Sequence, residues 1–275
     1  MAPHPSHLTP HAAAARLRFA LLGSGSRGNA AVVECGDTRI LLDCGFSARE
    51  TLVRLGRLGR DGAGFAAILI THEHSDHAAG AAVCARRLRA PVWMTPGTFS
   101  ALGSDTDGLA DVRLFDPNEA FVIGDIEVRP FPVPHDAREP SQFVFSDGRA
   151  RLGFLTDIGE ATAEVEAMLD GCDALVLECN HDPGLLRDGP YPYPLKQRIA
   201  GGQGHLANQA AAELLARLDT SRLRHLVAAH LSQTNNRPEL VRAALARRLG
   251  CDPDWVQVAD QQRGLSWVDC RVGGN

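Results

Sequence analysis

Apolar residues along the chain come in short runs broken by turn residues, with amphipathic stretches between them. Residues 17–22 form one run that breaks at GSGSRGN (23–29), and residues 30–35 and 39–42 follow on either side of Gly36-Asp37. Runs rich in Val, Ile and Leu and bounded in this way predict three successive strands. Ser47 and Glu50 make an S-x-x-E capping box ahead of Leu52, Val53 and Leu55, where a helix should begin. Residues 65–70 read as a buried strand, and 78–89 as a helix that stops before Pro91.

Short strands are expected at 92–94, 112–115, 120–123 and 126–131, and a hairpin pairs 142–146 with 151–155 across Asp147-Gly148. The remainder alternates: helix at 161–169, strand at 174–177, helix at 208–218, strand at 225–229, helix at 238–249, then strands near Val256 and at 265–268. No linker, repeat or low-complexity stretch interrupts residues 17–270. An α/β domain over 17–275, with two sheets covered by helices, is the economical architecture. Residues 1–16, with three His and three Pro, read as a flexible N-terminal extension whose His4, His7 and His11 are solvated.

Composition narrows the classes. At 275 residues the chain can bury roughly 73% of its unfolded surface, enough for a core without disulfides. Its seven cysteines are odd in number and scattered, with no CxxC pair, which argues against a disulfide framework and a thiolate zinc site. No apolar run is long enough to cross a bilayer and the N-terminus lacks a secretory pattern, so a cytoplasmic protein with no membrane partner is expected. Lys+Arg number 28 against 33 Asp+Glu, a net charge of −5, and Lys196 is the sole lysine. The arginine stripes Arg54/Arg57/Arg60 and Arg86/Arg87/Arg89 read as solvated helix faces. Eleven histidines are left to explain.

The strongest chemical signal is THEHSDH at 71–77, directly after a predicted strand. Read as a loop whose side chains fan outward, it lets His72 and His74 close on one cation while Asp76 and His77 turn to a second. Imidazole and carboxylate suit Zn²⁺, Mn²⁺ or Fe. Two ions need further ligands, and His135, Asp157 and His230 each lie just past the end of an apolar run. His225, inside a run, reads as a hydrogen-bonded core residue.

HxHxDH followed by a distant His, an Asp and a last His resembles the metallo-β-lactamase-fold hydrolases over essentially all of residues 17–270. The resemblance implies a four-layer αββα sandwich, two mixed sheets flanked by helices. It implies that His72, His74 and His135 hold one metal, that Asp76, His77 and His230 hold another, and that Asp157 bridges them. Asp43, in LLDCG, matches the superfamily's early aspartate, which orients a ligand. GSGSRGN, ECNHD (178–182), YPLKQRI (193–199), GHLAN (204–208) and HLSQTNN (230–236) are together similar to the YycJ/WalJ-like proteins, grouped with nucleases and phosphodiesterases. Ala207 departs from that pattern where Ser is expected, which removes one hydroxyl from the expected site.

Two divalent ions sharing one hydroxide would give a nucleophile at neutral pH and would clamp a phosphodiester. Phosphate-directed donors are plentiful: Ser24, Ser26, Arg27 and Asn29 in the first turn, Asn180 after the 174–177 run, and Ser232, Asn235 and Asn236 after His230. Asp76 counts as catalytic as well as metal-ligating. His205 or His181 would protonate the leaving alkoxide, with His205 favoured by the glycines around it. The expected function is a dinuclear phosphodiesterase, a nuclease acting on DNA rather than RNA, with 5′ to 3′ polarity implied by resemblance alone. Alternatives are a small-molecule cyclic phosphodiesterase, a thioester or lactam hydrolase, and a binding module without catalysis, which the full ligand set disfavours. Oligomeric state is not legible.

Overall fold

The computed structural model describes residues 16–272, so the expected extension lies outside the described residues except for Arg16. Fourteen strands among them form two seven-stranded sheets. The first holds β1 (Arg18–Gly23), β2 (Ala30–Cys35), β3 (Thr38–Leu42), β4 (Ala67–Leu69), β5 (Val92–Met94) and β6 (Val112–Leu114), with β14 (Leu265–Asp269) beyond β1. The second runs from β7 (Phe121–Ile123) through β8 (Ile126–Pro132), β9 (Ser141–Ser146), β10 (Arg151–Leu155), β11 (Ala174–Glu178) and β12 (His225–Ala229) to β13 (Gln257–Val258).

Most inner strands are buried on both faces, which is why they read as unbroken apolar runs rather than alternating ones. Phe19, Val33 and Ile40 meet Phe143, Phe145 and Phe154 between the sheets. The outer face of the first sheet packs on α1 (Ala48–Arg57) and α3 (Ala81–Leu88) through Leu41, Ile68, Leu55 and Leu88. The outer face of the second packs on α5 (Ala163–Leu169), α8 (Asn208–Arg217) and α9 (Pro238–Leu249) through Leu175, Leu226, Leu214 and Leu245. The result is two mixed sheets flanked by helices.

Both sheets change from antiparallel to parallel pairing at their fourth strand, β3 in one and β10 in the other. Just past each of these strands stands an aspartate in left-handed backbone, Asp43 (φ 61°) and Asp157 (φ 53°), and His230 after β12 does the same (φ 55°). Such a conformation costs a non-glycine residue on the order of 1–3 kcal/mol and collects at functional sites.

Several expectations change. The helix expected over 78–89 is two: α2 (Ser75–Ala78) starts inside the histidine motif, and Gly80 separates it from α3. A Cβ at Gly80 would fall 2.0 Å from Phe46 O, and one at Gly45 would fall 1.7 Å from Asp76 O. Those two glycines let the turn after β3 lie directly on the motif. Asp76 and His77 therefore sit on a helical turn, not in a fanned loop. Short helices α4 (Pro96–Leu102), α6 (Pro183–Asp188) and α7 (Tyr193–Ile199) were not foreseen, although Thr95-Pro96 and Asp182-Pro183 carry the cap-then-proline signature.

Arg54 is not on a solvated face: it is buried, donates to Leu22 O and Gln261 O, and lies over the Phe46 ring. Arg60 likewise pairs with Glu34, which also holds Arg18 and Arg39. His225 is a hydrogen-bonded core residue, its Nε2 donating to Val272 O. Ala207 is the N-cap of α8 and offers no side-chain cap, so the hydroxyl expected there would have belonged to a helix start.

Candidate metal centre

The C-terminal ends of β4, β8, β10 and β12 bring the histidines and carboxylates together. His72, His74 and His135 form one group in which a ligand atom of each lies within 4.8 Å of the others; Asp76, His77 and His230 form another, and His72, His77 and Asp157 a third that joins them. His135 Nε2 is 3.3 Å from His74 Nδ1, and His77 Nε2 is 3.0 Å from Asp157 Oδ2. Asp76 Oδ2 stands 3.5 Å from His230 Nε2 and 3.6 Å from His77 Nε2.

The far nitrogen of each imidazole is held by the protein. His72 Nδ1 donates to Thr71 Oγ1 (2.9 Å), whose hydroxyl donates to Asp43. His77 Nδ1 donates to Asp43 Oδ2 (2.7 Å), His135 Nδ1 to Gly204 O (3.0 Å), His74 Nε2 to Asp136 O (3.2 Å) and His230 Nδ1 to Glu178 Oε1 (3.0 Å). This fixes each tautomer and leaves the opposite lone pair for a cation. Among the described residues, the buried atoms His72 Nε2, His230 Nε2 and Asp157 Oδ2 have no hydrogen-bond partner. Unpartnered buried polar atoms gathered in one cluster are costly unless something joins them, and divalent cations do. The donor set fits such ions.

Electrostatics follow. Burial pushes the His72 imidazolium well below its usual range, so the ring is neutral and ligand-competent. Burial alone would raise Asp157, but His230 and His77 beside it outweigh that and hold the carboxyl well below the ordinary range.

Glu178, the last residue of β11, was not foreseen. It is fully buried: Oε1 accepts from His230 Nδ1 and from His205 Nδ1 (2.9 Å), and Oε2 from the backbone N–H of Ile158 and Leu206. Its oxygens are committed, so it orients two imidazoles rather than ligating. The signal was a carboxylate at the end of a wholly apolar strand. Burial lowers the His205 pKa, but Glu178 outweighs it and the net shift is upward.

A cleft of about 200 Å³ adjoins the cluster, lined by Ser26, Asp136, Asn180, Arg198, His205 and Ser232 among others. Arg198, which lies within YPLKQRI, pairs with Asp136 at 2.5 Å. Ser26, Asn180, Ser232 and His205 are thus brought together. Ser24 instead accepts from the His230 backbone N–H (2.8 Å), and the Asn29 amide faces His77 Nε2 at 2.9 Å. Arg27 donates its backbone N–H to Gln261. Asn236 pairs with Asn208 and with Cys179 O, and Asn235 is buried beside Ser232; neither lines the cleft. His181 lines a separate hollow.

The domain model for the β-lactamase superfamily matches residues 38–230. The chain is 35% identical to Exodeoxyribonuclease YycJ of Bacillus anthracis over 85% of its length and 89% of that protein's. The chain belongs to the β-lactamase superfamily. Within that superfamily it falls in the YycJ/WalJ-like branch and is a metal-dependent hydrolase; Exodeoxyribonuclease WalJ of Streptococcus pneumoniae (strain D39) is 33% identical over 84% of this chain and 88% of its own. Among solved structures, the metallo-β-lactamase-fold protein YhfI of Bacillus subtilis superimposes with a TM-score of 0.72 at 14% identity, covering 92% of this chain and 99% of its own. No helix among the described residues is long and apolar enough to cross a membrane.

Proposed function

We propose that the protein is a dinuclear phosphodiesterase acting on nucleic acid, specifically a DNA exonuclease. The supporting observation is the convergence of seven oriented ligand side chains beside a cleft furnished with phosphate-directed donors. His72, His74 and His135 would hold one divalent ion, Asp76, His77 and His230 the second, with Asp157 between them; Zn²⁺ and Mn²⁺ both suit this set, and Fe is compatible. When bound, such ions acidify water to a nucleophile at neutral pH and offset the charge that develops on phosphate.

The chain's own residues do the rest. Arg198, steadied by Asp136, and the donors of Ser26, Asn180 and Ser232 orient the phosphodiester. His205, whose Nδ1–H is committed to Glu178, turns Nε2 to the cleft and gives its proton to the leaving alkoxide. Asp43 and Thr71 keep His77 and His72 in register. The compact cleft also admits a small cyclic phosphodiester, which is the second reading. Its polar lining leaves little for an acyl group. All seven cysteines lie among the described residues and are free, which suits a reducing, cytoplasmic setting.

The test is hydrolysis of duplex and single-stranded DNA labelled at either end, with RNA and a cyclic nucleotide alongside, after chelation and after return of Mn²⁺ or Zn²⁺. We expect metal-dependent release of mononucleotides from DNA, starting at the 5′ end. Turnover of the cyclic nucleotide with inert DNA and RNA would overturn the nuclease reading.

A further inference from the structure

The helix α7 has two working faces. Leu195, Arg198 and Ile199 line the cleft beside the metal centre, whereas Tyr193, Lys196, Gln197 and Ala200 line a second hollow of about 340 Å³ on its other side, closed by His181, Pro183 and Leu186. Nothing in the hydrolytic chemistry uses that hollow.

Its lining is specific. Tyr193, one of only two tyrosines, is 71% exposed, an unusual position for an aromatic ring. Its hydroxyl accepts from Gln197 Nε2 (2.9 Å), which steadies the side chain. His181 is 3% exposed, and among the described residues its Nδ1 has no hydrogen-bond partner. Lys196, the only lysine in the chain, donates to Arg187 O (2.7 Å) at the rim and keeps further N–H donors free for an anion. Arg187 itself is paired with Asp188. An open aromatic face, an imidazole in the wall and a rim cation together match a nucleotide: a ring and a wall for the flat base, an ammonium for its phosphate.

We propose that this hollow is a nucleobase pocket, taking an unstacked base from a nucleotide next to the one whose phosphodiester lies in the cleft. The proposal rests on the nuclease reading and deepens it. A strand with its phosphate at Arg198 has to cross α7, a helix about 10–12 Å across, to place a base against Tyr193. Base stacking on an aromatic ring tolerates any sequence, so the pocket grips the strand without reading it.

The test compares an intact single-stranded oligonucleotide with strands carrying one abasic nucleotide, walked along the end that is cut. With the wild-type protein, one abasic position should raise KM about ten-fold. Tyr193→Ala should erase the difference between that strand and the intact one, while Tyr193→Phe should keep it. A Tyr193→Ala protein that still distinguishes the two strands overturns the pocket, because a purely structural loss would weaken both equally. A wild-type protein that cuts no nucleic acid would overturn the nuclease reading instead. Fluorescence anisotropy with the same strands would then decide the pocket: equal affinity of wild-type and Tyr193→Ala overturns it, and a ten-fold weaker variant supports it.

Discussion

The first sheet delivers four metal-type side chains from one stretch, His72 to His77, whereas the second delivers His135, Asp157 and His230 from three separate strand ends. On the first side a single helical turn and the Asp43–Thr71 pair set the geometry. On the second side no local spacing can, and the work falls to strand register, to left-handed backbone at Asp157 and His230, and to one buried carboxylate, Glu178. Local geometry tolerates change elsewhere in the fold. The dispersed arc depends on the whole second sheet.

The largest effect should come from the residue that joins the arcs. Asp157→Ala is expected to lower kcat by about 10³-fold or more with the fold intact, read by hydrolysis and far-UV circular dichroism. Near-normal activity would mean the arcs do not share a centre. Next are the two orienting carboxylates. Asp43→Asn and Glu178→Gln should each cost about 10–100-fold in activity or metal affinity, with Glu178→Gln nearer the upper end because it loosens a candidate ligand, His230, together with the proposed proton donor, His205. Metal content and kcat measured side by side check this, and a larger loss for Asp43→Asn would reverse the proposed asymmetry.

The next effect concerns stability of the first sheet rather than turnover. Burial would raise the Glu34 pKa, but Arg60, Arg18 and Arg39 outweigh it and hold the carboxyl down at about 2. A depressed folded-state pKa adds stability that is fully present above the unfolded value near 4.5 and is lost as pH falls through about 2. The shift corresponds to about 2–3 kcal/mol, discounted for the partly exposed guanidiniums. Urea unfolding across that window should show the loss in wild type and a flatter profile in Glu34→Gln. The smallest effect is Ala207→Ser: a hydroxyl cap on α8 should add about 0.5–1 kcal/mol and raise Tm by about 2 °C.

The asymmetry between the arcs also explains what could be read beforehand. The HxHxDH motif is legible because its candidate ligands are neighbours in sequence. His135, Asp157 and His230 were legible because each ends an apolar run. Glu178 escaped notice because a carboxylate at the same kind of position reads as the polar stop of a strand. His181 illustrates the opposite error. Successive residues leaving a strand point to opposite sides, so Asn180 reaches the cleft and His181 the hollow behind α7. The arginine stripe 54–60 failed because spacing alone does not show that Gln261, more than two hundred residues later, lies beneath it.

β14 pairs with β1 so that Asp269 faces Arg18, and an ion pair joins Arg16 to Asp269 at 3.3 Å. Both ends of the described chain therefore emerge side by side at the floor of the sandwich, one strand length, about 20 Å, below the turn that carries Ser24 and Asn29. A fluorophore or affinity handle attached beside Arg16 or Val272 would sit beneath the sandwich and leave the cleft facing the solution. That geometry suits a surface-tethered assay of the proposed hydrolysis.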